Sequence, residues 1–415
     1  MSLSREQRDA LPISRSEFVA LIAAIMALTA LAIDSMLPAL GAIAADLGVA
    51  NPNHAQFVVL VFFGANGAAA LVHGPLSDAF GRRPVLMVAL ATYILSALAC
   101  AMAPEFGALL AFRALAGVAA AAGSVVCIAV VRDCFSGDAM ARTLSTIYMV
   151  FMIVPVLAPS VGQAVLAFGG WRDIFLLLGV LGSLVAIWGW ARLPETRPPA
   201  DRTTLDLASL AASWAEVLRN RHANLYMLAG ALTQGGMLGF LVSSPQVVGE
   251  TFDAAAIYPY LFAGIASTMA ASNFLNSRIV MRFGTRRVSH SAVIVYALLA
   301  SVQLLLILGG VTSLAVFTVL LALNLSMVGM IGSNFASIAM VPFGRIAGTA
   351  SSFQTFVRTV LATLIGMGIG QSFDGTALPM IAGFLGCGLA ALGCVLLAER
   401  GRLFTRPGDT VRAAN

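Results

Sequence analysis

Long apolar runs separated by short polar segments are the feature that most constrains the fold of this chain. Most of the runs hold about 20 residues or more, which is the length that an α-helix needs to cross the hydrocarbon core of a bilayer. The sequence therefore predicts an all-α membrane protein with twelve transmembrane helices. The twelve runs cover roughly residues 18–40, 55–76, 84–103, 106–131, 143–168, 174–193, 223–248, 256–275, 289–308, 312–340, 346–370 and 377–398.

The composition agrees with this prediction and excludes several classes of protein. Of the 415 residues, 59% are hydrophobic and 10% are charged, whereas about a quarter of the residues of a soluble domain are charged. The sequence contains no GxxxxGK[ST] motif, which argues against ATP-driven transport by this chain. The five cysteines form no CxxC motif, so neither a disulfide framework nor a metal site is predicted.

The distribution of arginine predicts the orientation of the helices. All 24 basic residues are arginines, and those outside the apolar runs fall almost entirely on one side of the membrane if both termini are cytoplasmic. Only Arg172 is left for the outer side, and Arg113 and Arg358 lie within apolar runs. We therefore expect a multi-pass protein of the inner (plasma) membrane with both termini in the cytoplasm. The first run is too long for a signal peptide and is expected to remain as the first helix.

The two halves of the chain repeat each other weakly. The segments FGRRPV at 80–85 and FGTRRV at 283–288 lie 203 residues apart, each after the second predicted helix of its half. A displacement of about half the length, with six helices on each side, is typical of a duplicated transporter. We expect an N-terminal six-helix bundle over residues 1–193, a cytoplasmic linker over 194–222, and a C-terminal six-helix bundle with a short cytoplasmic tail over 223–415.

Asp34 is the only acidic residue well inside an apolar run, and Pro38 follows it by one helical turn. Because proline has no N–H, the Asp34 carbonyl loses its helical hydrogen bond and the backbone is weakened beside the acid. A central Asp opposes membrane insertion by about 2.5–3.5 kcal/mol, while the Leu, Ile, Val and Phe residues of the run favour insertion by about 3–6 kcal/mol. The helix is therefore expected to insert with a buried carboxyl group.

Arg113, in the fourth run, is the predicted partner of Asp34. Counted from the outer ends of their runs, the two residues lie at a similar depth of about 9–10 Å. Opposite charges at one depth suggest a proton-coupling pair in which Arg113 sets the charge state of the Asp34 carboxyl group. A fixed structural ion pair would have the same sequence pattern.

The segment GPLSDAFGRRP, residues 74–84, carries the most specific motif of the chain, and it is predicted to form a tight cytoplasmic turn. It resembles the signature of the major facilitator superfamily between helices 2 and 3, which reads roughly G-x-L-x-D-x-x-G-R-R. The family often has Arg where Ala79 stands here, and Arg132 is the expected substitute for that partner of the Asp. The matching residues are Gly74, Leu76, Asp78, Gly81, Arg82 and Arg83.

This resemblance implies the major-facilitator fold, with twelve transmembrane helices in two pseudo-symmetric six-helix bundles. It also implies that the motif between helices 2 and 3, together with Arg132, acts as a conformational latch on the cytoplasmic side. The second-half copy has Met281 where the first half has Asp78, so the latch is expected to be asymmetric.

Further segments resemble the Bcr/CflA group of drug:proton antiporters and extend over nearly the whole chain. The resemblance implies proton-coupled export of small hydrophobic drugs or antibiotics by alternating access. The chain departs from the group at Ala158 and Gln163, where Gly is preferred, and at Met26, where some relatives carry a second acid. The resembling segments are AIDSMLPAL, RALAG, APSVG, GWRDIF, LPET and SSP.

Prolines predict a kink in the fifth helix. Pro155 and Pro159 leave the carbonyl groups of Phe151 and Pro155 without helical hydrogen bonds. Gly162 follows in the same helix, within the APSVG segment. Either a moving hinge or a fixed bend would have this pattern.

Polar residues inside the apolar runs are candidates for the lining of a substrate cavity. Hydrogen bonds between helices would account for most of them equally well. Arg358 has no acidic neighbour in its half, so contact with substrate, bonding to backbone carbonyls and attraction of an anion all stay open. His73 is either a proton relay or a structural residue. The cavity candidates are Asn66, Tyr148, Gln234, Asn324, Asn334 and Arg358.

The expected partners are the lipid bilayer, protons and a small hydrophobic substrate, and the chain is expected to act as a monomer. No cofactor is implied besides the coupling proton, and the scattered arginines predict no nucleic-acid partner. Two alternatives stay open. One is an uptake symporter or metabolite exporter with the same Asp34 chemistry. The other is a membrane-embedded enzyme, which would need a constellation of His, Ser or carboxylates at one depth and is disfavoured because Asp34 is the only acid well inside an apolar run.

Overall fold

The structure of the protein is a computed structural model that describes residues 13–203, 206–311 and 313–404. This part of the chain contains helices and turns and no β-strand, which confirms the predicted all-α class. It divides into two compact units, Met1–Leu207 (unit 1) and Ala208–Asn415 (unit 2). Some arginines that contributed to the predicted orientation lie outside the described residues, namely Arg5, Arg8, Arg406 and Arg412.

Unit 1 is organised around α5, which packs along α3 and against α4, while α4 also packs against α8. Ala116, Gly117 and the run 119–123 give α5 a surface of small residues, so that neighbouring helices can approach closely. The α-helices of unit 1 are α1 (Arg15–Asp34), α2 (Leu40–Asp46), α3 (Phe57–Phe80), α4 (Arg82–Ala101), α5 (Phe106–Cys134), α6 (Gly137–Phe151), α7 (Ile153–Phe168) and α8 (Trp171–Arg192).

Unit 2 is organised around α10, which packs against α13, α14 and α15. A short helix, α9 (Leu207–Arg219), precedes it. The remaining α-helices are α10 (Arg221–Gln246), α11 (Tyr258–Phe283), α12 (Thr285–Leu308), α13 (Leu314–Met340), α14 (Ala347–Gln371) and α15 (Leu378–Ala398).

The membrane spans agree with the predicted apolar runs. Within the described residues, 11 helical segments are long and apolar enough to cross a membrane. The twelfth predicted span corresponds to α11, which has 26 residues but carries Asn273, Asn276, Arg278 and Arg282 in its second half. These polar side chains lower its mean hydropathy, while its length of about 39 Å is sufficient to span a bilayer.

The motif between α3 and α4 is mostly helical, and the tight turn that the sequence suggested is confined to Gly81. α3 continues through Gly74, and α4 begins directly after Gly81, so that a single residue joins the two helices. Gly81 has a φ of 100°, which reverses the chain in one step and would strain any residue with a side chain. Gly284, with a φ of 83°, joins α11 to α12 in the same way.

The break in the fifth predicted helix lies at Met152, between α6 and α7. Pro155 is in the first turn of α7, and its missing N–H accounts for the interruption at the carbonyl of Phe151. Pro159 lies further inside α7. The position of the break therefore agrees with the kink that the prolines suggested.

A short helix, α9, occupies the second part of the linker that the sequence predicted over residues 194–222. Trp214 and Val217 recur at helical spacing on α9 and face the other helices of unit 2. Val217 is fully buried, and the ring centroids of Trp214 and Phe353 lie 6.5 Å apart. The sequence did not indicate this apolar stripe, because the segment around it is mostly polar.

Candidate functional site

α1 ends at Asp34, the acid that the sequence singled out. Ser35 follows as the C-cap residue, and its Oγ donates a 2.6 Å hydrogen bond to the Leu31 carbonyl oxygen. Pro38 then lies in a 3₁₀ turn before the chain resumes as α2. Asp34 was expected six residues inside a continuous helix. It lies instead at the break, because the carbonyl that Pro38 leaves unpaired belongs to Asp34 itself.

The break in α1 packs directly against α7. Gly162 lies at the contact, and a Cβ atom added to it would clash with the Ser35 carbonyl oxygen. Pro159, one turn earlier on α7, is buried as well. The APSVG segment therefore supports the backbone immediately after Asp34, and glycine is required for the close approach.

The Asp34 side chain is buried without a partner. It is 7% exposed, and no group that the structure describes forms a hydrogen bond or an ion pair with its carboxyl group. An isolated carboxylate is costly in surroundings of low polarity, whereas a protonated acid is tolerated there. The arrangement suits a group that binds and releases a proton.

Arg113 forms no ion pair with Asp34 within the described residues. The Arg113 Nε donates a 2.8 Å hydrogen bond to the Val58 carbonyl oxygen, and the guanidinium lies 4.4 Å from the centroid of the Phe62 ring. The side chain is 1% exposed, and its Nη2 has no hydrogen-bond partner within the described part of the chain. Counting residues gives an expected depth but no information on which way each side chain points around its helix.

Arg82 connects three side chains at the start of α4. The side chain is 1% exposed and forms ion pairs with Asp78 at 2.7 Å and with Asp133 at 2.9 Å. Its Nη1 also donates a 2.6 Å hydrogen bond to the Ser77 Oγ. A buried arginine held by two carboxylates joins the ends of α3, α4 and α5, and we call this group of side chains the arginine network.

Glu195, in the LPET segment after α8, extends the arginine network. Its carboxylate accepts hydrogen bonds from the backbone N–H groups of Arg82 at 2.9 Å and Arg83 at 3.3 Å. The first N–H groups of a helix have no partner within the helix, and they favour a negative charge. Arg197 lies nearby and forms an ion pair with Asp78 at 3.1 Å. The carboxylate thus caps α4 from another part of unit 1.

Arg132 does not take the place of the arginine missing at Ala79, so that prediction is wrong. Arg132 is exposed and forms no ion pair within the described ranges. Arg197 pairs with Asp78 instead, and Asp133, the neighbour of Arg132, is the residue of α5 that enters the network. Consecutive residues of a helix point about 100° apart, so an error of one position selects the wrong face.

Several polar residues suggested for a cavity are engaged inside their own units. Asn324 donates a 2.9 Å hydrogen bond to the Tyr296 carbonyl oxygen, and Asn334 donates a 2.9 Å bond to the Asn276 Oδ1. Asn66 donates a longer bond of 3.4 Å to a carbonyl oxygen of α5. These three side chains hold helices together, which was the alternative explanation of the pattern.

Tyr148, Gln234 and Arg358 keep more accessible surface. Tyr148 is 42% exposed, and Gln234 and Arg358 are half-buried. His73, for which the sequence left a relay and a structural role open, is buried, and its Nδ1 bonds to the Ala69 carbonyl oxygen at 2.8 Å within α3.

A second buried acid, which the sequence analysis did not single out, lies after α15. Glu399 accepts a 2.7 Å hydrogen bond from the Tyr226 hydroxyl group, His222 Nε2 lies 3.3 Å away, and Arg286 approaches at 3.4 Å. Burial raises the pKa of the Glu399 carboxyl group, but the hydrogen bonds with His222 and Tyr226 and the charge of Arg286 outweigh it. The pKa is lowered to about 2.

Glu399 has a position in unit 2 comparable to that of Glu195 in unit 1, because each glutamate follows the last long helix of its unit and contacts the start of the third span. Glu195 binds the backbone N–H groups of Arg82 and Arg83, whereas Glu399 pairs with the Arg286 side chain. The glycine junctions align Arg286 with Arg83 at an offset of 203, while the two glutamates lie 204 positions apart. The signal in the sequence was the pair of tripeptides LPE and LAE, and two matching letters are too few to be noticed without the geometry.

Comparison with known proteins identifies the family of this chain. The family model described as Major Facilitator Superfamily matches residues 21–367. The chain belongs to the major facilitator superfamily. This major facilitator is 29% identical over 353 residues to the bicyclomycin resistance protein homolog of Haemophilus influenzae, covering 84% of this chain and 87% of that protein. It is 30% identical over 376 residues to the multidrug resistance protein MdtL of Salmonella heidelberg, covering 87% and 89%.

The fold of this major facilitator is also that of solved transporters. The crystal structure of a D-xylose-proton symporter matches with a TM-score of 0.69 and 14% identity, covering 94% of this chain and 98% of the symporter. At this identity the likeness shows the fold alone. Together with its apolar helices, membership of the family makes the chain a multi-pass membrane transporter.

Proposed function

We propose that this major facilitator exports small, largely hydrophobic compounds, including antibiotics, in exchange for protons. The names of the relatives, which refer to bicyclomycin resistance and multidrug resistance, support compounds of this class. The arginine-rich segments support an orientation in the inner membrane with both termini in the cytoplasm. The expected partners are protons, lipid and one substrate molecule, bound by a monomer.

Asp34 is the residue that carries the proposal. Its carboxyl group is buried, has no partner among the residues described, and lies where Pro38 interrupts α1. Proton and substrate exchange if they favour opposite conformations of one transporter. We propose that Asp34 takes up a proton from the outer side as the substrate leaves and releases that proton to the cytoplasm before the next substrate binds.

Arg113 has a structural role in this proposal. It lies on α5, donates to Val58 of α3, and lies over the rings of Phe62 on α3 and Phe175 on α8, the second at 5.8 Å. These contacts fix the guanidinium inside unit 1. Arg113 therefore holds three helices together rather than neutralising Asp34.

The direction of coupling separates export from uptake. In everted vesicles with an acidic lumen, addition of a substrate should make the lumen more alkaline, because the antiporter releases protons as it moves substrate inward. An uptake symporter would make the lumen more acidic under the same conditions. A pH-sensitive dye inside the vesicles measures the difference.

Asp34→Asn tests the proton site. We expect the variant to insert into the membrane and to lose efflux driven by a pH gradient over a panel of hydrophobic antibiotics, because the amide cannot exchange a proton. Asp201→Asn is the matched control, since Asp201 is exposed and has no ion pair within the residues described. Full gradient-driven efflux by Asp34→Asn would rule out this mechanism.

A further inference from the structure

An apolar groove lies within unit 2, between the end of α11 and the start of α12, with α13 as its third wall. Its volume is about 500 Å³. Cavities of this size hold molecules as large as drugs, and a long apolar chain fits as well. The walls are mainly apolar, and the side chains that matter here are Phe283, Val295, Met327 and Met330, with Arg287 and Ser291 as polar members.

The groove leaves large apolar side chains uncovered. Phe283, Val295 and Phe404 are 51%, 39% and 40% exposed, respectively, and all three line it. Val295 follows Arg287 by eight positions on α12, so the groove extends about 12 Å from the helix start toward the middle of the membrane. An acyl chain is the component of a bilayer that would cover such a surface.

Arg287 brings an uncompensated charge to the mouth of the groove. Its Nε donates one long hydrogen bond, of 3.4 Å, to the Phe404 carbonyl oxygen. No carboxylate in the described part of unit 2 pairs with it, whereas the adjacent Arg286 lies 3.4 Å from Glu399. One of two neighbouring arginines is therefore neutralised inside the unit, and the other is left for a ligand.

Two further arginines strengthen the positive charge at this end of unit 2. Arg278 and Arg282, near the end of α11, are exposed, and their guanidinium groups lie 4.6 Å and 5.4 Å from the ring centroids of Phe274 and Phe283. Neither forms an ion pair with an acid that the structure describes. The aromatic rings orient the charges without neutralising them.

We propose that the groove binds one anionic phospholipid, with its phosphate group at Arg287 and an acyl chain along Val295 and Met327. The guanidinium offers the paired N–H donors that match phosphate oxygens, and Arg278 and Arg282 complement the negative headgroup. Basic pockets between membrane helices bind anionic headgroups for the same electrostatic reason. The site makes no use of Asp34 and does not depend on the proposed transport reaction.

The C-terminal residues 405–415 are the competing occupant, because Phe404 already lines the groove. Their charged side chains are Arg406, Asp409 and Arg412, a net positive set. Such a segment does not complement three unpaired arginines, whereas an anionic lipid does. Charge complementarity therefore favours the lipid over the tail.

Native mass spectrometry of the full-length protein in detergent, titrated with phosphatidylglycerol or phosphatidylcholine, tests the site. We expect tight binding of one phosphatidylglycerol, and about fivefold weaker binding of that lipid to Arg287→Gln, the effect of one arginine near a membrane surface. Ser291→Trp should block the groove from an exposed position and remove the tight site. Arg219→Gln removes an exposed arginine elsewhere in unit 2 and should leave the affinity unchanged.

Several results would overturn the proposal. Equal affinity for the two lipids, or wild-type affinity in Arg287→Gln, would show that Arg287 does not select an anionic headgroup. Full competition by inorganic phosphate would mean that a phosphate site exists without a lipid in the groove. Tighter lipid binding by a chain truncated after Phe404 would identify the tail as the normal occupant. An equal loss of lipid affinity in Arg219→Gln would show that the affinity depends only on the net charge of the protein and not on the position of Arg287.

Discussion

Two buried carboxyl groups in this transporter have opposite surroundings. Asp34 has no hydrogen-bond donor or cation among the groups described, while Glu399 has Tyr226, His222 and Arg286 around it. A carboxyl group without donors changes its charge when the protein opens or closes around it. A carboxyl group with several donors stays ionised and holds its neighbours in place. Proton exchange therefore belongs to Asp34 in our proposal, and Glu399 has a structural role.

Glu399 should stabilise unit 2 in a pH-dependent way. Its pKa of about 2 in the folded chain lies below the value of 4.5 for an unperturbed Glu, so its contribution is complete above pH 4.5 and is lost as the pH falls toward 2. Glu399→Gln should therefore lower the free energy of unfolding by about 3 kcal/mol at pH 7 and by much less near pH 2. Unfolding of the purified wild type and of Glu399→Gln in mixed micelles, at pH 7 and near pH 2, measures the difference in free energy of unfolding.

Glu250→Gln is the control for that comparison, because Glu250 is an exposed acid of unit 2 without an ion pair in the described residues. It should change the free energy of unfolding little at either pH. A difference between wild type and Glu399→Gln that stays constant from pH 7 to pH 2 would contradict the assignment of the stabilisation to the ionised carboxylate.

At the scale of single residues, the sequence predicted a buried acid but not its surroundings. Asp34 could be found because a charge within an apolar run is rare and Pro38 marks the break. The structure shows no direct contact between Asp34 and Arg113, because a contact depends on rotation around each helix as well as on the depth that counting gives. For the same reason, Asp133 belongs to the arginine network, whereas the neighbouring Arg132 points to another face of α5.

At the scale of helices, the arginine network joins elements that are distant in sequence. Arg82 at the start of α4 contacts Asp78 of α3 and Asp133 of α5, and Glu195 caps α4 from the segment after α8. All these residues belong to unit 1. The ends of α3, α4, α5 and α8 are therefore held as one group on this side.

Arg82→Ala should destabilise unit 1 strongly. Removing the guanidinium leaves two carboxylates without their shared partner, and breaking a buried ion pair costs about 3–5 kcal/mol. Arg132→Ala should change stability by about 0.5 kcal/mol or less, because Arg132 is exposed and unpaired in the described ranges. Thermal unfolding of both variants in the same detergent measures the contrast, and similar losses would contradict the network described here.

The helices themselves were largely predictable, and their junctions were not. Apolar length determines where a span lies, and the predicted runs correspond to the long helices of both units. The segment 74–84 was predicted to form a tight turn, but the sequence did not show that one glycine with positive φ, Gly81, is enough to reverse the chain. α9 was missed because its apolar stripe is short and lies in a polar segment.

At the scale of the whole molecule, charge distribution is the basis of the proposed orientation. Arg172, the one arginine assigned to the outer side, forms an ion pair with Asp46 and lies over the Trp171 ring at 4.2 Å. Its charge is thus neutralised within unit 1. Exposed arginines without acidic partners, such as Arg132 and Arg278, lie in segments assigned to the cytoplasm. Because the outer arginine is paired and these cytoplasmic arginines are not, the difference in positive charge between the two sides is larger than the count of arginines alone indicates.

Cysteine labelling tests the orientation. Ala200 and Ala255 are exposed, the first in the connection after α8 and the second between α10 and α11. Ala255→Cys should react with a membrane-impermeant thiol reagent in intact cells, and Ala200→Cys should react only in everted vesicles. The unsubstituted chain, with its own five cysteines, is the background control. Labelling of Ala200→Cys in intact cells would reverse the proposed orientation.

The one-residue junctions at Gly81 and Gly284 have a consequence for how such chains can diverge in evolution. An insertion at either position would rotate the following helix by about 100° per added residue and turn its buried face away from its neighbours. The connection between α8 and α9 has no helical register to keep beyond Glu195 and Arg197, which belong to the arginine network. Changes of length between related sequences should therefore accumulate in the later part of that connection and be rare at the two glycine junctions, where even one added residue would disrupt the packing.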